Sequence, residues 1–202
     1  MSTITTIDNK NIPINTIVLD IDRTLVHSVE HYLVKDEWKT HFTWFAFDEY
    51  IVFLRPYLTE FLTFLFESSF HIAIFTAGSL KYVKSLMKHV FNPYVDKYNK
   101  SLRFVLCEDA NSMCINKYGK TKHLPFITDR FPSIDYRECL IIDDSSQVKR
   151  SNGEQCILVP QFVIKADFVH TFFPQSIDDR VFLDIIDLFK NQLSNQDKNT
   201  SL

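Results

Sequence analysis

Glycine is nearly absent, with three residues in 202. A Gly-rich phosphate cradle, whether the P-loop or the dinucleotide fingerprint, needs several glycines at fixed spacing, and neither GxGxxG nor GxxxxGK occurs. Any phosphate site in this chain must be built another way. Paired cysteines are missing as well: Cys107, Cys114, Cys139 and Cys156 are scattered without a CxxC, which argues against zinc and leaves them as small buried hydrophobes. Positive charge is not in excess. Lys and Arg number 22 against 25 Asp and Glu, a net charge of −3, so no basic stripe marks a nucleic-acid partner. No apolar run approaches the ~20 residues that span a bilayer. Residues 1–15 are polar, with neither the apolar stretch of a secretory signal nor the Arg-rich pattern of an organelle presequence. These absences predict a soluble protein of a reducing compartment, cytoplasmic or nuclear, with no membrane span. What is present is ordinary globular composition, 46% hydrophobic and 23% charged with 19 Phe, in a length that suits one domain.

Short apolar runs of strand length recur: TIVLD at 16–20, HIAIFT at 71–76, RFVLCE at 103–108, CLIID at 139–143 and CILVP at 156–160. Their apolar character is continuous rather than alternating. Strands buried on both faces require that, and so the runs predict a parallel sheet covered by helices. Helical spacing lies between them. Leu58, Phe61, Leu62 and Leu65 follow Pro56, a suitable first helical residue; Leu80, Val83, Met87 and Val90 follow Gly78 and Ser79; Phe182, Ile185, Ile186 and Phe189 follow Asp178 and Asp179. The alternation predicts a single α/β domain over 1–193 with a doubly wound, Rossmann-like parallel sheet. Residues 29–55 fall outside it. There HYLVK reads as a strand and TWFAFDEYIVFLR as a hairpin turning at Asp48 and Glu49, together a small β-hairpin insertion. Residues 194–202 are polar and read as a disordered tail or a linker.

In open parallel sheets the ligand sits beyond the carboxyl ends of the strands, so the polar residues that end the strands are the candidates. The first run ends in Asp20, Ile21, Asp22, Arg23 and Thr24, the second in Thr76, the fourth in Asp143 and Asp144. Four carboxylates on one edge repel one another unless a cation sits among them. All-oxygen ligation without His or Cys favours a hard ion, Mg²⁺ above others, bridging to a phosphate oxygen. A carboxylate set against such a phosphoryl group can act as nucleophile, and a second one two residues on can handle the proton.

The run VLDIDRTLVHS at 18–28 resembles the DxDxT(L/V) signature of the haloacid dehalogenase superfamily. More narrowly it is similar to the small phosphatases that act on the C-terminal domain of RNA polymerase II. LRPYLTEFL at 54–62, IFTAG at 74–78 and IIDDSS at 141–146 resemble, in order, the segment after that family's insertion, its second motif and its fourth. The likeness covers about residues 14–193. It implies a haloacid-dehalogenase-type sheet without a large cap, and a Mg²⁺-dependent phosphoprotein phosphatase working through an aspartyl-phosphate. Asp20 would then be the nucleophile and Asp22 the acid and later the base. The Asp20 side chain, the Asp22 carbonyl and the pair Asp143 and Asp144 would hold the metal, while Thr76, the amide of Ala77 and Lys122 would hold phosphoryl oxygens. Lys122 takes the third-motif role from its place before the fourth motif, with Lys117 and Lys120 competing for it. The chain also departs from the family pattern, having Arg23 for Glu, Gly78 for Ser, Ser146 for Pro and Asp144 for Asn. His27 matches the pattern and reads as a hydrogen-bonded packing residue.

Two further readings accompany this one: a small-metabolite phosphatase of the same superfamily, and a non-catalytic relative such as the mitochondrial import-receptor subunit. An insertion of about 25 residues is too small for the cap of a metabolite enzyme. Retention of both Asp20 and Asp22 argues against the binding-only reading. The expected partner is a phosphorylated protein or peptide carrying phosphoserine, phosphothreonine or phosphotyrosine. Trp38, Trp44, Phe45, Phe47 and Tyr50 crowd the insertion, either as a miniature core or, for Trp44 and Phe47, as a substrate rim.

Overall fold

The run TIVL forms strand β1 (Thr16–Leu19), and each of its residues is buried. That burial follows from its position. The computed structural model of the chain describes residues 14–164 and 179–199, and in it β1 is the centre of a five-stranded sheet. The other strands are β5 (His71–Phe75), β6 (Val105–Leu106), β7 (Cys139–Asp143) and β8 (Cys156–Leu158), in the order β6-β5-β1-β7-β8, all parallel. Strand β6 keeps only two residues of the run at 103–108.

Each strand supplies both faces of the sheet by alternation. Ile17 and Leu19 face a layer made by α2 (Leu58–Glu67), α3 (Leu80–Leu86), α4 (Asn92–Tyr98) and α8 (Val181–Asn199). Val18, Ala73, Phe75 and Ile141 face a layer made by α5 (Glu108–Tyr118), α6 (Pro125–Arg130) and α7 (Ser146–Asn152). The doubly wound α/β sheet read from the continuous apolar runs is therefore present. In the first layer Phe61 of α2 and Phe182 of α8 stack with ring centres 4.5 Å apart.

Several local expectations change. Helix α2 starts at Leu58 rather than Pro56, because Tyr57 takes a left-handed conformation (φ 60°) and turns the chain before the helix begins. The spacing after Ser79 produces α3, then a π-helical turn (Met87–Phe91), then α4; the Ser79 hydroxyl caps α3 by accepting from the Tyr82 amide. Helix α8 continues to Asn199, into the segment expected to be a tail. Asp178, residues 1–13 and residues 200–202 lie outside the described residues. Among the described residues no helix is long and apolar enough to cross a membrane.

The insertion is a second, antiparallel sheet in the order β2-β4-β3, with β2 (Val26–Glu30), β3 (Trp44–Phe47) and β4 (Tyr50–Leu54). The hairpin turns at Asp48 and Glu49 as expected, with Asp48 at φ 49°. HYLVK is not a strand: His31–Leu33 form a 3₁₀ turn and Asp36–His41 a short helix, α1. The sheet's edge is instead made by VHSVE, so the end of the first motif is itself β2. Trp38, Phe42, Ile51 and Phe53 pack with Phe162 and Ile164 into a separate small core. His27 belongs to the same packing. Its Nδ1 accepts from the Ile164 amide at 3.0 Å and its ring meets Phe162 edge-on.

Burial, then the nearby Arg23 charge, pulls His27 down to about 4 from the ordinary 6.5. A folded-state value below the unfolded one means the unfolded chain binds the extra proton. His27 thus contributes stability that is complete above about pH 6.5 and is lost as pH falls toward about 4. The melting-temperature gap between wild type and His27→Asn is expected to narrow from about pH 7 to about pH 5. A gap that stays constant across that window would mean the imidazole is not held neutral.

Candidate active site

Strand register builds the site. Leu19 of β1 lies opposite Ile142 of β7, and the Asp20 amide donates to the Ile142 carbonyl at 3.0 Å, so Asp20 and Asp143 leave the sheet side by side. Asp144 joins them: carboxylate oxygens of Asp20, Asp143 and Asp144 all lie within 4.8 Å of one another. Asp20 and Asp143 are buried and Asp144 is half-buried.

One ammonium answers these charges. Lys122 Nζ pairs with Asp20 Oδ1 and, at 2.8 Å, with Asp143 Oδ2. Despite burial, the two carboxylates hold the Lys122 amine above its usual range. Its competitors are elsewhere, for Lys117 pairs with Asp129 on the surface and Lys120 is exposed. Lys122 itself sits at φ 44°, a left-handed conformation that a non-glycine residue adopts only when its surroundings enforce it. Asn111 enforces it from one side, its Oδ1 accepting from the Lys122 amide at 3.1 Å. Asn152 does so from the other, its Nδ2 donating to the Lys122 carbonyl at 3.0 Å. Neither asparagine carries a motif signal in the sequence.

Thr24 closes the loop after β1. Its hydroxyl donates to Asp20 Oδ2 at 2.8 Å and accepts from the Asp144 amide at 3.1 Å, joining the first and fourth motifs. The backbone between them is tightly wound. The Ile21 carbonyl accepts from the amides of Thr24, Leu25 and Val26, and Arg23 takes φ 62°. Arg55 locks this turn from beneath. Although almost wholly buried, it donates to the Thr24 carbonyl (3.0 Å), to the Pro160 carbonyl (2.9 Å) and to Asp179 Oδ2 (2.8 Å). Sequence reasoning missed Arg55 as a site-building residue. Its only trace is its place in LRPYLTEFL.

Asp22 faces a different environment from Asp20. Burial pushes its carboxyl up to about 6, against a hydrogen bond from the Tyr82 hydroxyl at 2.8 Å that works the other way. Burial and the Asp22 carboxylate push the Tyr82 phenol up in turn, so it stays a donor. Thr76 ends β5 fully buried, with its hydroxyl accepting from the Gly78 amide at 3.0 Å, and Ala77 is exposed just beyond it. Thr76 and Asp22 converge near Gly78. A Cβ there would stand 3.3 Å from Thr76 Oγ1, 3.5 Å from Asp22 Oδ2 and 3.0 Å from the Tyr82 ring. Gly78, one of the departures from the family pattern, thus leaves room for Tyr82.

The two expected rim residues separate. Residues three apart on a strand point to opposite faces. Phe47 packs against Tyr82 with ring centres 5.6 Å apart, next to the site, whereas Trp44 is exposed under Lys39.

The residues fit a divalent cation. Three carboxylates against one ammonium leave two formal negative charges, and every available donor is an oxygen, the set that suits Mg²⁺. Burial and then the neighbouring Asp20 carboxylate push Asp143 and Asp144 up from their ordinary range.

Comparisons with known proteins bear on the fold and the family. Two viral proteins, each described as putative CTD phosphatase-like protein 355R, are similar in sequence. That of Invertebrate iridescent virus 3 is 29% identical over 156 residues, covering 72% of this chain and 83% of its own length. That of Invertebrate iridescent virus 6 is 28% identical over 159 residues, covering 72% and 85%. Among solved structures, the fission yeast RNA polymerase II CTD phosphatase Fcp1-R271A bound to beryllium fluoride shares the fold with a TM-score of 0.54 at 19% identity, over 91% of this chain. This chain spans only 56% of that Fcp1 chain. The family model described as NLI interacting factor-like phosphatase matches residues 15–200, from the start of the central strand to the end of the last helix, and the chain belongs to that family of haloacid-dehalogenase-type phosphatases.

Proposed function

We propose that the protein is a Mg²⁺-dependent phosphoprotein phosphatase that works through an aspartyl-phosphate on Asp20. The observation that carries this reading is the unequal setting of two carboxylates on one loop: Asp20 pairs with Lys122 and Thr24, while burial favours a proton on Asp22. A carboxylate held by an ammonium and a hydroxyl suits a nucleophile, and a neighbouring carboxyl whose burial favours the proton suits an acid.

In the first step the Asp20 carboxylate forms a bond to phosphorus, the bond from phosphorus to the leaving oxygen breaks, and Asp22 gives that oxygen its proton. In the second step Asp22, now a carboxylate, takes a proton from water as the water oxygen attacks phosphorus. The Asp20–phosphorus link then breaks and inorganic phosphate leaves. Thr76, the Ala77 amide and Lys122 hold the equatorial oxygens throughout. The side chains of Asp20, Asp143 and Asp144 and the carbonyl of Asp22 would hold a Mg²⁺ ion, which would supply neutralisation of the phosphoryl charge.

A protein or peptide substrate is supported by the small insertion and by likeness to Fcp1, a protein described as an RNA polymerase II CTD phosphatase. Phosphoserine, phosphothreonine and phosphotyrosine all remain candidates, and the four free cysteines accord with a reducing compartment such as cytoplasm or nucleus.

Asp20→Asn is expected to abolish turnover of 4-nitrophenyl phosphate, and Asp22→Asn to reduce it about a hundredfold or more. An Asp20→Asn variant with a tenth of wild-type activity or more, as a rough threshold, overturns the covalent route. Chelation should remove activity, Mg²⁺ should restore it, and Ca²⁺ should restore it poorly because its longer, irregular coordination misplaces the reacting oxygens. Phe47→Ala should lower kcat/KM for a phosphopeptide about tenfold, while Trp44→Ala changes it less than about twofold. Equal effects of the two would remove Phe47 from the rim.

A further inference from the structure

Tyr82 joins three parts of the molecule that are distant in sequence. It sits in the first turn of α3, its hydroxyl donates to Asp22 Oδ1 at 2.8 Å, and the same oxygen lies 2.6 Å from Ser28 Oγ on β2. A phenol has one proton to give. With that proton committed to Asp22, Ser28 is the donor to the phenol oxygen, and the chain of donation runs from Ser28 to Tyr82 to Asp22.

The ring has little freedom to leave this position. A Cβ at Gly78 would stand 3.0 Å from its Cδ1, so the ring lies close against the Gly78 backbone. Phe47 packs on it, and the ion pair between Lys81 and Asp48, 2.6 Å long, ties the hairpin tip to the same turn of α3. The backbone amide of Tyr82 is held by the Ser79 cap.

A protonated carboxyl whose carbonyl oxygen accepts a hydrogen bond carries its own proton on the other oxygen. Tyr82 occupies Asp22 Oδ1. The other oxygen, Oδ2, has no hydrogen bond among the described residues and lies 3.5 Å from the point where a Gly78 Cβ would stand, a point 3.3 Å from Thr76 Oγ1, near where a phosphoryl group bound by Thr76 and the Ala77 amide would lie. We propose that Tyr82, itself oriented by Ser28, is the positioning residue of Asp22, fixing Oδ2 as the oxygen that delivers the proton to the leaving group and takes one from water. The inference rests on the proposed function, in which Asp22 is the acid and the base. It adds that the inserted sheet, through Ser28, sets the direction of proton transfer.

The test separates this role from ring packing. Tyr82→Phe keeps the ring and removes the hydroxyl. The full-length chain with Mg²⁺ is assayed on two small substrates of similar shape, 4-nitrophenyl phosphate, whose leaving group departs without a proton, and phenyl phosphate, whose more basic leaving group needs one. Because kcat/KM reports the step that forms the aspartyl-phosphate, Tyr82→Phe should lower it about tenfold for phenyl phosphate and less than about threefold for 4-nitrophenyl phosphate. Ser28→Ala should act in the same direction by a smaller factor, and it carries the test if Tyr82→Phe fails to fold. Equal factors on the two substrates, or no loss on phenyl phosphate, would overturn the proposal. That failure is distinct from failure of the phosphatase reading, which would show as activity surviving Asp20→Asn.

Discussion

Three carboxylates leave the carboxyl edge of one sheet within 4.8 Å of each other, and the rest of the architecture is arranged around containing their repulsion. Two like charges about 4 Å apart cost about 4 kcal/mol at an effective dielectric near 20, a large fraction of a domain's net stability. Lys122 is the internal answer, and its placement sets strict demands on the chain. A left-handed residue must be held between Asn111 of α5 and Asn152 of α7, so two of the three helices of the second layer serve the site as well as the core. Removing one partner of such a buried pair leaves an uncompensated charge, commonly about 3–5 kcal/mol of destabilisation. The two negative charges that remain, on oxygen donors alone, fit a divalent cation.

The loop after β1 is densely hydrogen-bonded, the kind of preorganised backbone that acid–base and nucleophilic chemistry draw on. Here one carbonyl, that of Ile21, gathers three amides, Thr24 spans Asp20 and Asp144, and Arg55 fills the space beneath with hydrogen bonds to two carbonyls and one carboxylate. The Arg55 guanidinium also lies over the rings of Phe162 and Phe182, so burial of its charge is offset by pairing, hydrogen bonding and aromatic faces together.

The inserted sheet is part of this machinery rather than an ornament on it. Its hairpin lies along the helical segment after the second motif: Phe47 meets Tyr82 of α3, and Phe45 stacks on His89 in the π-helical turn, ring centres 4.5 Å apart. Strand β2 begins inside the first motif itself and bridges back to Asp22 through Val26, so the small sheet is continuous with the loop that bears Asp22. Its own core, built with Phe162 and Ile164, keeps it from being a loose flap.

Sequence alone determined the class of sheet, because burial on both faces writes itself as continuous apolar runs and those runs are local. It likewise marked Asp20, Asp22, Thr76, Asp143 and Asp144, since strand ends and motif order are one-dimensional facts. HYLVK shows the limit of such reading: four apolar or aromatic characters in a row suit a strand, yet neighbouring β2 already fills that edge and the segment turns instead. Motif order also favoured Lys122 over Lys117 and Lys120, whereas which aromatic borders Asp22 and how Arg55, Asn111 and Asn152 hold the loops were decided only in three dimensions. Those contacts join residues from 11 to 124 positions apart, and no periodicity records a hydrogen bond between side chains whose separation is set by the packing of whole elements.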